Sequence, residues 1–275
     1  MNFHWMHRFH GGNSYRGMLS AIKILESAGV KSILLPYGAT GPDYLSMVPH
    51  FLENTSKINF MVALRPYALT PEYAIKTFQT INENYGERLW LNVVAGMLVP
   101  EEQDFVFKNY IHDISEISDM GHRLNLADKW TKIFIDALPK HIETKLFTIA
   151  NSEYTRIWAN KYFDFAIYDH HRLDANDKIS GNAKPVLVID PLIKPFDSYK
   201  PIYIYKPTDL EEKRGEKVVR QQFHEYSGSY QEVKQALIET AKKYKINDFM
   251  ILTDQKDISE MLKLVRELSS DEYIF

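Results

Sequence analysis

The chain has 275 residues, of which 45% are hydrophobic, enough to bury one substantial core. With 33 Lys+Arg against 36 Asp+Glu, it carries no strong field to recruit nucleic acid or an anionic membrane, so a small ligand fits better. The absence of cysteine excludes disulfides, thiolate metal sites and thiol catalysis, and it suits a reducing cytoplasm.

In chain order, residues Met1–Gly12 are rich in His and aromatic side chains and lack the apolar core of a secretory signal. No apolar run approaches the about 20 residues needed to span a bilayer. A cytoplasmic protein is the expectation. A first strand is predicted over Asn2–His7. Met18, Ile22, Leu25 and Ala28 recur at helical spacing, and the short apolar run Ser32–Pro36 follows as a strand. A helix of unassigned bounds then leads to Ile58–Leu64, apolar except at Asn59, a run suited to burial on both faces. Thr70-Pro71-Glu72 opens the next helix, with Thr70 as N-cap and Pro71 in the first turn, where a missing N–H costs nothing. Arg88–Val94 reads as another buried strand.

Further along come a helix over Asn125–Leu138, a strand over Lys145–Ile149, a helix over Ser152–Lys161 and a strand over Phe163–Tyr168. Between Asp169 and Arg220, two apolar runs, Pro185–Ile189 and Pro201–Tyr205, compete for the seventh strand, and the prolines around them interrupt any long helix. The chain closes with a helix over Ser229–Tyr244, a strand over Asp248–Leu252 and a helix over Ile258–Leu268. Alternating strands and helices, with strands apolar on both faces, predict an α/β fold with a parallel sheet covered by helices. No repeat, low-complexity tract or long linker divides the chain, so a single domain over 1–275 is expected.

Met61-Val62-Ala63-Leu64-Arg65-Pro66, then Thr70-Pro71, then Glu87 through Gly96, resembles the flavin-dependent alkanesulfonate monooxygenases of the bacterial luciferase-like superfamily. Ala150-Asn151-Ser152-Glu153-Tyr154-Thr155 resembles the turn after the fifth strand of the luciferase α subunit. Gly228 through Val233 is close to the superfamily's opening to its last barrel helix. The resemblance implies a (β/α)₈ TIM-type barrel, shortened relative to typical members. It also implies reduced flavin mononucleotide (FMN) bound as a co-substrate, a separate flavin reductase, a small-molecule substrate and a homodimer. The cofactor would carry the redox chemistry, and the protein would supply a dry, shaped pocket. Relatives of this fold also use coenzyme F420, and the sequence leaves the two cofactors open.

By the same resemblance, Asn151, Ser152, Tyr154 and Thr155 mark the phosphate end of the cofactor site. A helix N-terminus after a strand is a ready anion site, although Ser152 could equally serve only as a cap. Ala63, Asn92 and Val94 are expected at the flavin ring. Asn92 could instead be a hydrogen-bonded polar residue of the barrel interior. Arg65, past the third strand, is a candidate for the catalytic face, to pair with the flavin phosphate, a substrate anion or a structural carboxylate. His10, which resembles a His after the first strand of the sulfonate enzymes, and His170, after the sixth strand, are the remaining catalytic candidates. His4 and His7 belong to the core or the rim, and Tyr168 either lines the pocket or fills the barrel. A His-based metal site is the alternative, without a recognisable ligand spacing.

Several superfamily features differ here. The loop Tyr37–Gly41 has no cysteine, Thr253-Asp254-Gln255 stands where a Gly-Tyr-Pro is usual, and His122-Arg123-Leu124 stands where a Glu-Arg-Tyr is usual. The pocket-covering loop is expected to be short. These departures motivate two further readings, a catalytically degenerate flavin-binding member that acts through a partner and a non-redox, metal-dependent barrel using Asp169, His170 and His171.

Overall fold

The structure is a computed structural model that describes residues 1–6, 15–37, 42–96, 119–169, 181–189, 192–193, 226–252 and 258–270. Eight parallel strands close into a barrel: β1 (Asn2–Met6), β2 (Ser32–Leu35), β3 (Asn59–Leu64), β4 (Leu89–Val93), β5 (Leu146–Ile149), β6 (Phe165–Asp169), β7 (Lys184–Ile189) and β8 (Asp248–Ile251). They pair in sequence order around the ring, and β8 returns to β1 with Asn2 opposite Asp248 and Trp5 opposite Ile251. The expected TIM-type barrel is therefore formed. The seventh strand is the earlier of the two competing runs; the other, 201–205, lies outside the described residues. A small parallel pair, Leu192–Ile193 with Ser227–Gly228, stands apart from the barrel.

Among the described residues the helices are α1 (Tyr15–Ser27), α2 (Tyr44–Glu53), α3 (Pro71–Tyr85), α4 (Met120–Ala137), α5 (Glu153–Tyr162), α6 (Tyr230–Tyr244) and α7 (Ser259–Ser270). Local chemistry starts several of them. The Thr70 hydroxyl accepts from the Tyr73 N–H at 3.3 Å with Pro71 following, and Ser229 and Glu232 form a capping box at α6. Gly86 ends α3 at φ 77°, a conformation that favours glycine. The sequence could not bound α2, because Pro49 lies inside it. An interior proline costs roughly 3 kcal/mol. Burial of Tyr44, Leu45, Val48, Phe51 and Leu52, at roughly 1.5–3 kcal/mol for each large apolar side chain, outweighs that cost, and Asp43 caps the start.

Strand alternation sorts the core into two layers. Phe3, Phe60, Leu91, Leu187 and Phe249 face outward and pack under the helices with Phe51, Phe78 and Phe134. Leu34, Met61, Trp90, Phe147, Phe165, Ile167, Val186 and Met250 fill the barrel interior. Phe147 stacks on Phe165 with centroids 4.5 Å apart and on Trp90 at 5.5 Å. These rings plug the middle of the barrel, so a ligand at the carboxyl ends of the strands, where such barrels place their sites, would rest above them. Two predicted boundaries shift for the same reason of register. Phe163 caps α5 instead of starting β6, and β6 runs on to Asp169.

Candidate functional site at the carboxyl end of the barrel

Ala63 and Asn92 are register partners on β3 and β4, both pointing inward above the aromatic plug. The small Ala63 side chain leaves room at this level, and Val94, half-buried, lines the same interior. Asn92 is 1% exposed, and its Oδ1 has no hydrogen-bond partner among the described residues. A buried amide oxygen left without a donor costs about 1–3 kcal/mol. Such a group at the mouth of an apolar barrel suits a ligand that presents an N–H, and the edge of a flavin or deazaflavin ring does so. The Val94 N–H already serves the barrel, donating to the Leu64 carbonyl at 2.9 Å.

Arg65 follows β3 directly and is buried. Its Nη1 donates to the Gly96 carbonyl at 3.0 Å, and its guanidinium lies 5.9 Å from the Tyr37 ring centre. The loops after β2, β3 and β4 thus converge on one side chain. The Ala68 N–H donates to the Arg65 carbonyl at 2.9 Å, which turns the chain tightly and sets Tyr67, also buried, beside it.

Around the barrel, Ser152 and Thr155 form a reciprocal capping box at α5. Ser152 Oγ accepts from the Thr155 N–H at 3.2 Å, and Thr155 Oγ1 accepts from the Ser152 N–H at 2.9 Å. Both hydroxyls therefore have local work, as the capping alternative expects. Asn151 is half-buried beside them, while the Tyr154 side chain points to solvent at 72% exposure.

His10 and His170 lie outside the described residues, as do His7 and His171. His4 belongs to the barrel core. It is fully buried near the amino ends of the strands, with Nδ1 2.7 Å from Ser32 Oγ and Nε2 3.2 Å from Asp248 Oδ1. Tyr168 does not line the pocket. With Phe165 and Ile167 facing inward, alternation turns it outward into the layer beneath the helices. No group of three or more His, Asp or Glu able to hold a metal ion occurs among the described residues. Nor is any described helix long and apolar enough to cross a membrane.

Sequence reasoning passed over Arg123. It lies in the first turn of α4, 7% exposed, at the head of a buried stripe continued by Ala127, Trp130 and Phe134. Trp130 Nε1 donates to the Leu69 carbonyl at 2.7 Å, holding that face of α4 against the β3–α3 loop. Burial, and then the Arg65 charge, hold the Arg123 guanidinium below the usual arginine range, with Asp119 and Tyr67 pulling the other way. The signal available in the sequence was an arginine at the positive end of a helix dipole, spaced with the apolar stripe.

Residues 1–134 match the family model of luciferase-like monooxygenases. Over 126 residues the chain is 29% identical to the sulfoquinovose monooxygenase of Agrobacterium fabrum, a match covering 45% of this chain and 31% of that protein. The chain thus spans about a third of the length of this curated relative. The EDTA monooxygenase from Chelativorans sp. BNC1 superimposes with a TM-score of 0.70 at 10% identity, covering 100% of this chain and 94% of that one. An F420-dependent secondary alcohol dehydrogenase, in complex with an F420-acetone adduct, gives 0.65 at 13% identity, covering 97% of each chain. At these identities the solved structures speak for the fold. The match over residues 1–134 makes that part of the chain similar to the luciferase-like monooxygenases, and the described strands close into the same kind of parallel barrel as the solved structures on which the chain superimposes.

Proposed function

We propose that the chain is a flavin-dependent monooxygenase that uses reduced FMN, delivered by a separate reductase, and oxygen to oxygenate a small organic metabolite. The observation that carries this reading is the buried Asn92 Oδ1, which has no hydrogen-bond donor among the described residues, above an aromatic plug in a barrel whose first 134 residues match the luciferase-like monooxygenases. When bound, the reduced flavin supplies the electrons and activates oxygen, and the protein's share is binding, orientation and exclusion of water.

Asn92 accepts a hydrogen bond from the ring edge, while Ala63 and Val94 bound the ring's apolar face. The α5 terminus, at Asn151, Ser152 and Thr155, receives the phosphate through backbone N–H groups, with the two hydroxyls holding that turn in shape. Arg65 sits at the reacting end, fixed by the Gly96 carbonyl, and His10 and His170, outside the described residues, are the proton-transfer candidates by family resemblance. In this reading the protein works in the cytoplasm as a homodimer.

Titration with oxidised and then photoreduced FMN, followed by absorbance and tryptophan fluorescence, tests the proposal. The expected results are saturable binding and, with reductant, oxygen uptake that depends on added substrate. No response to either flavin state at millimolar concentration would remove it. The likeness to an F420-dependent dehydrogenase supports a second reading, a deazaflavin oxidoreductase. The same titration with coenzyme F420 separates them, since a deazaflavin does not activate oxygen. A degenerate member acting through a partner would bind flavin and show no turnover by itself.

A further inference from the structure

We propose that Met6 is a redox switch at the barrel mouth: hydrogen peroxide, formed there when reduced flavin meets oxygen without substrate, converts its thioether to a sulfoxide and weakens flavin binding. The switch rests on the reading of the mouth as a flavin oxygenase site, and it gives that site a modification and a means of regulation.

Met6 ends β1, and its side chain turns inward, because Phe3 and Trp5 on the same strand belong to the layer beneath the helices. One inward position below it, His4 meets the aromatic plug, its ring centre 5.9 Å from that of Phe147 and 6.3 Å from that of Trp90. On β4, Asn92 likewise stands one inward position above Trp90. Met6 and Asn92 thus reach the interior just above the same rings, from strands three places apart around the barrel. Two further methionines line the interior. Met250 is the register partner of His4, and Met61 that of Leu34, which itself pairs with Met6. Both are 0% exposed, whereas Met6 packs on the interior cluster and is only half-buried. Of the three thioethers, Met6 alone keeps a surface open at the carboxyl end.

The chain has no cysteine, so thioethers are its softest groups toward peroxide. Peroxide arises when reduced flavin gives two electrons and two protons to oxygen. The Met6 sulfur then attacks one peroxide oxygen: the S–O bond forms, the O–O bond breaks, and the second oxygen leaves as water with both protons. Sulfur is oxidised by two electrons and the peroxide is reduced by two. A flexible apolar side chain becomes a polar, chiral one, which spoils an apolar wall. Methionine sulfoxide reductases reverse the change. Running without substrate therefore closes the site, and repair reopens it.

The test mixes the whole chain with FMN, photoreduces it, admits oxygen without substrate and maps the oxidised peptides by mass spectrometry. Catalase is present throughout, to remove peroxide that escapes into solvent. The expected product is a sulfoxide at Met6, with Met61 and Met250 unmodified and with Met120 spared, although at 40% it is the most exposed of the described methionines. Hydrogen peroxide added to the flavin-free chain is expected to reverse that order and mark Met120 first. Treated wild type is expected to bind oxidised FMN at least about tenfold more weakly than its own untreated sample, a loss of about 1.4 kcal/mol, and to recover with methionine sulfoxide reductases. Met6→Leu, a swap of similar volume, is expected to bind FMN after treatment as it does before. An unmodified Met6 in a chain that binds FMN and consumes oxygen overturns the switch and leaves the flavin reading standing. Equal sulfoxide at Met6 and Met120 under catalase overturns it too, as does a Met6 sulfoxide that leaves FMN affinity unchanged. A chain that ignores FMN in both redox states removes the flavin reading, and the switch with it.

Discussion

Asp248 Oδ1 lies 3.2 Å from His4 Nε2, and the same oxygen accepts from Asn2 Nδ2 at 3.0 Å, so one carboxylate ties the last strand of the barrel to the first. A carboxylate only accepts, so His4 Nε2 donates to it, and Nδ1 on the other side of the ring meets Ser32 Oγ on β2. Three consecutive strands of the closed ring, β8, β1 and β2, are thereby joined inside the barrel at the end opposite the candidate site.

This seam predicts a pH dependence. Burial pulls the Asp248 carboxyl up, but the hydrogen bond and charge of His4, with help from Lys31 and Asn2, overcome it and leave the group below the ordinary carboxylate value. A carboxyl depressed in the folded state contributes its stability above the unfolded-state pKa, and that contribution is lost as pH falls through the folded one. Wild type should therefore lose urea resistance from about pH 4 downward. Asp248→Ala should be weaker by about 3 kcal/mol at neutral pH, with a flatter acid limb. Parallel acid limbs in the two proteins would show that the seam is not the titrating element.

Asn92 offers a trade between stability and binding. Asn92→Leu replaces a buried amide, whose oxygen has no partner among the described residues, with an apolar side chain of similar volume. The unliganded variant is expected to melt at or above the wild-type temperature, since an unsatisfied buried acceptor costs about 1–3 kcal/mol. Its FMN affinity should fall about tenfold, the equivalent of about 1.4 kcal/mol. A variant that binds FMN as tightly as wild type would dismiss Asn92 as a ring contact.

The turn at α5 separates capping from phosphate binding. Ser152→Ala and Thr155→Val each remove half of the capping box and should cost about 1 kcal/mol of stability. If the turn also holds a phosphate, the preference for FMN over riboflavin should shrink in both variants. Equal losses for the two flavins would assign the hydroxyls to capping alone.

At the amino-terminal face, Glu26 Oε1 accepts from the backbone N–H groups of Ser56, Lys57 and Ile58, at 2.8, 2.6 and 3.1 Å. Arg88 supports the same junction, with Nη2 donating to the Leu52 carbonyl at 2.7 Å. This end of such a barrel serves stability and the other end serves chemistry. Glu26→Ala should lower the unfolding free energy by about 1–2 kcal/mol and leave FMN affinity unchanged. Urea denaturation and a flavin titration on the same preparation check both halves of that statement.

Much of the fold was legible in the chain because its causes are local. Apolar runs such as Phe60–Leu64 are buried on both faces wherever they lie, and Thr70-Pro71 or Ser229 with Glu232 starts a helix from contacts within one turn. The α2 helix escaped because an interior proline disfavours it locally, and only burial of its apolar face against the barrel tips the balance back toward helix. Asn92 was placed correctly on its strand, yet that its Oδ1 would have no partner among the described residues could not be read from sequence.

Sequence by itself thus determined the alternation of strands and helices, the caps and the family pattern of the first half. Tertiary structure alone decided which of two apolar runs becomes β7, that Tyr168 turns away from the interior, that His4 meets an aspartate 244 residues away, and that Arg123 comes within the field of Arg65. The reason is closure. Periodicity tells each strand which residues share a face, but only the register around the ring and the helix packing outside it determine which face looks inward and what each side chain meets there.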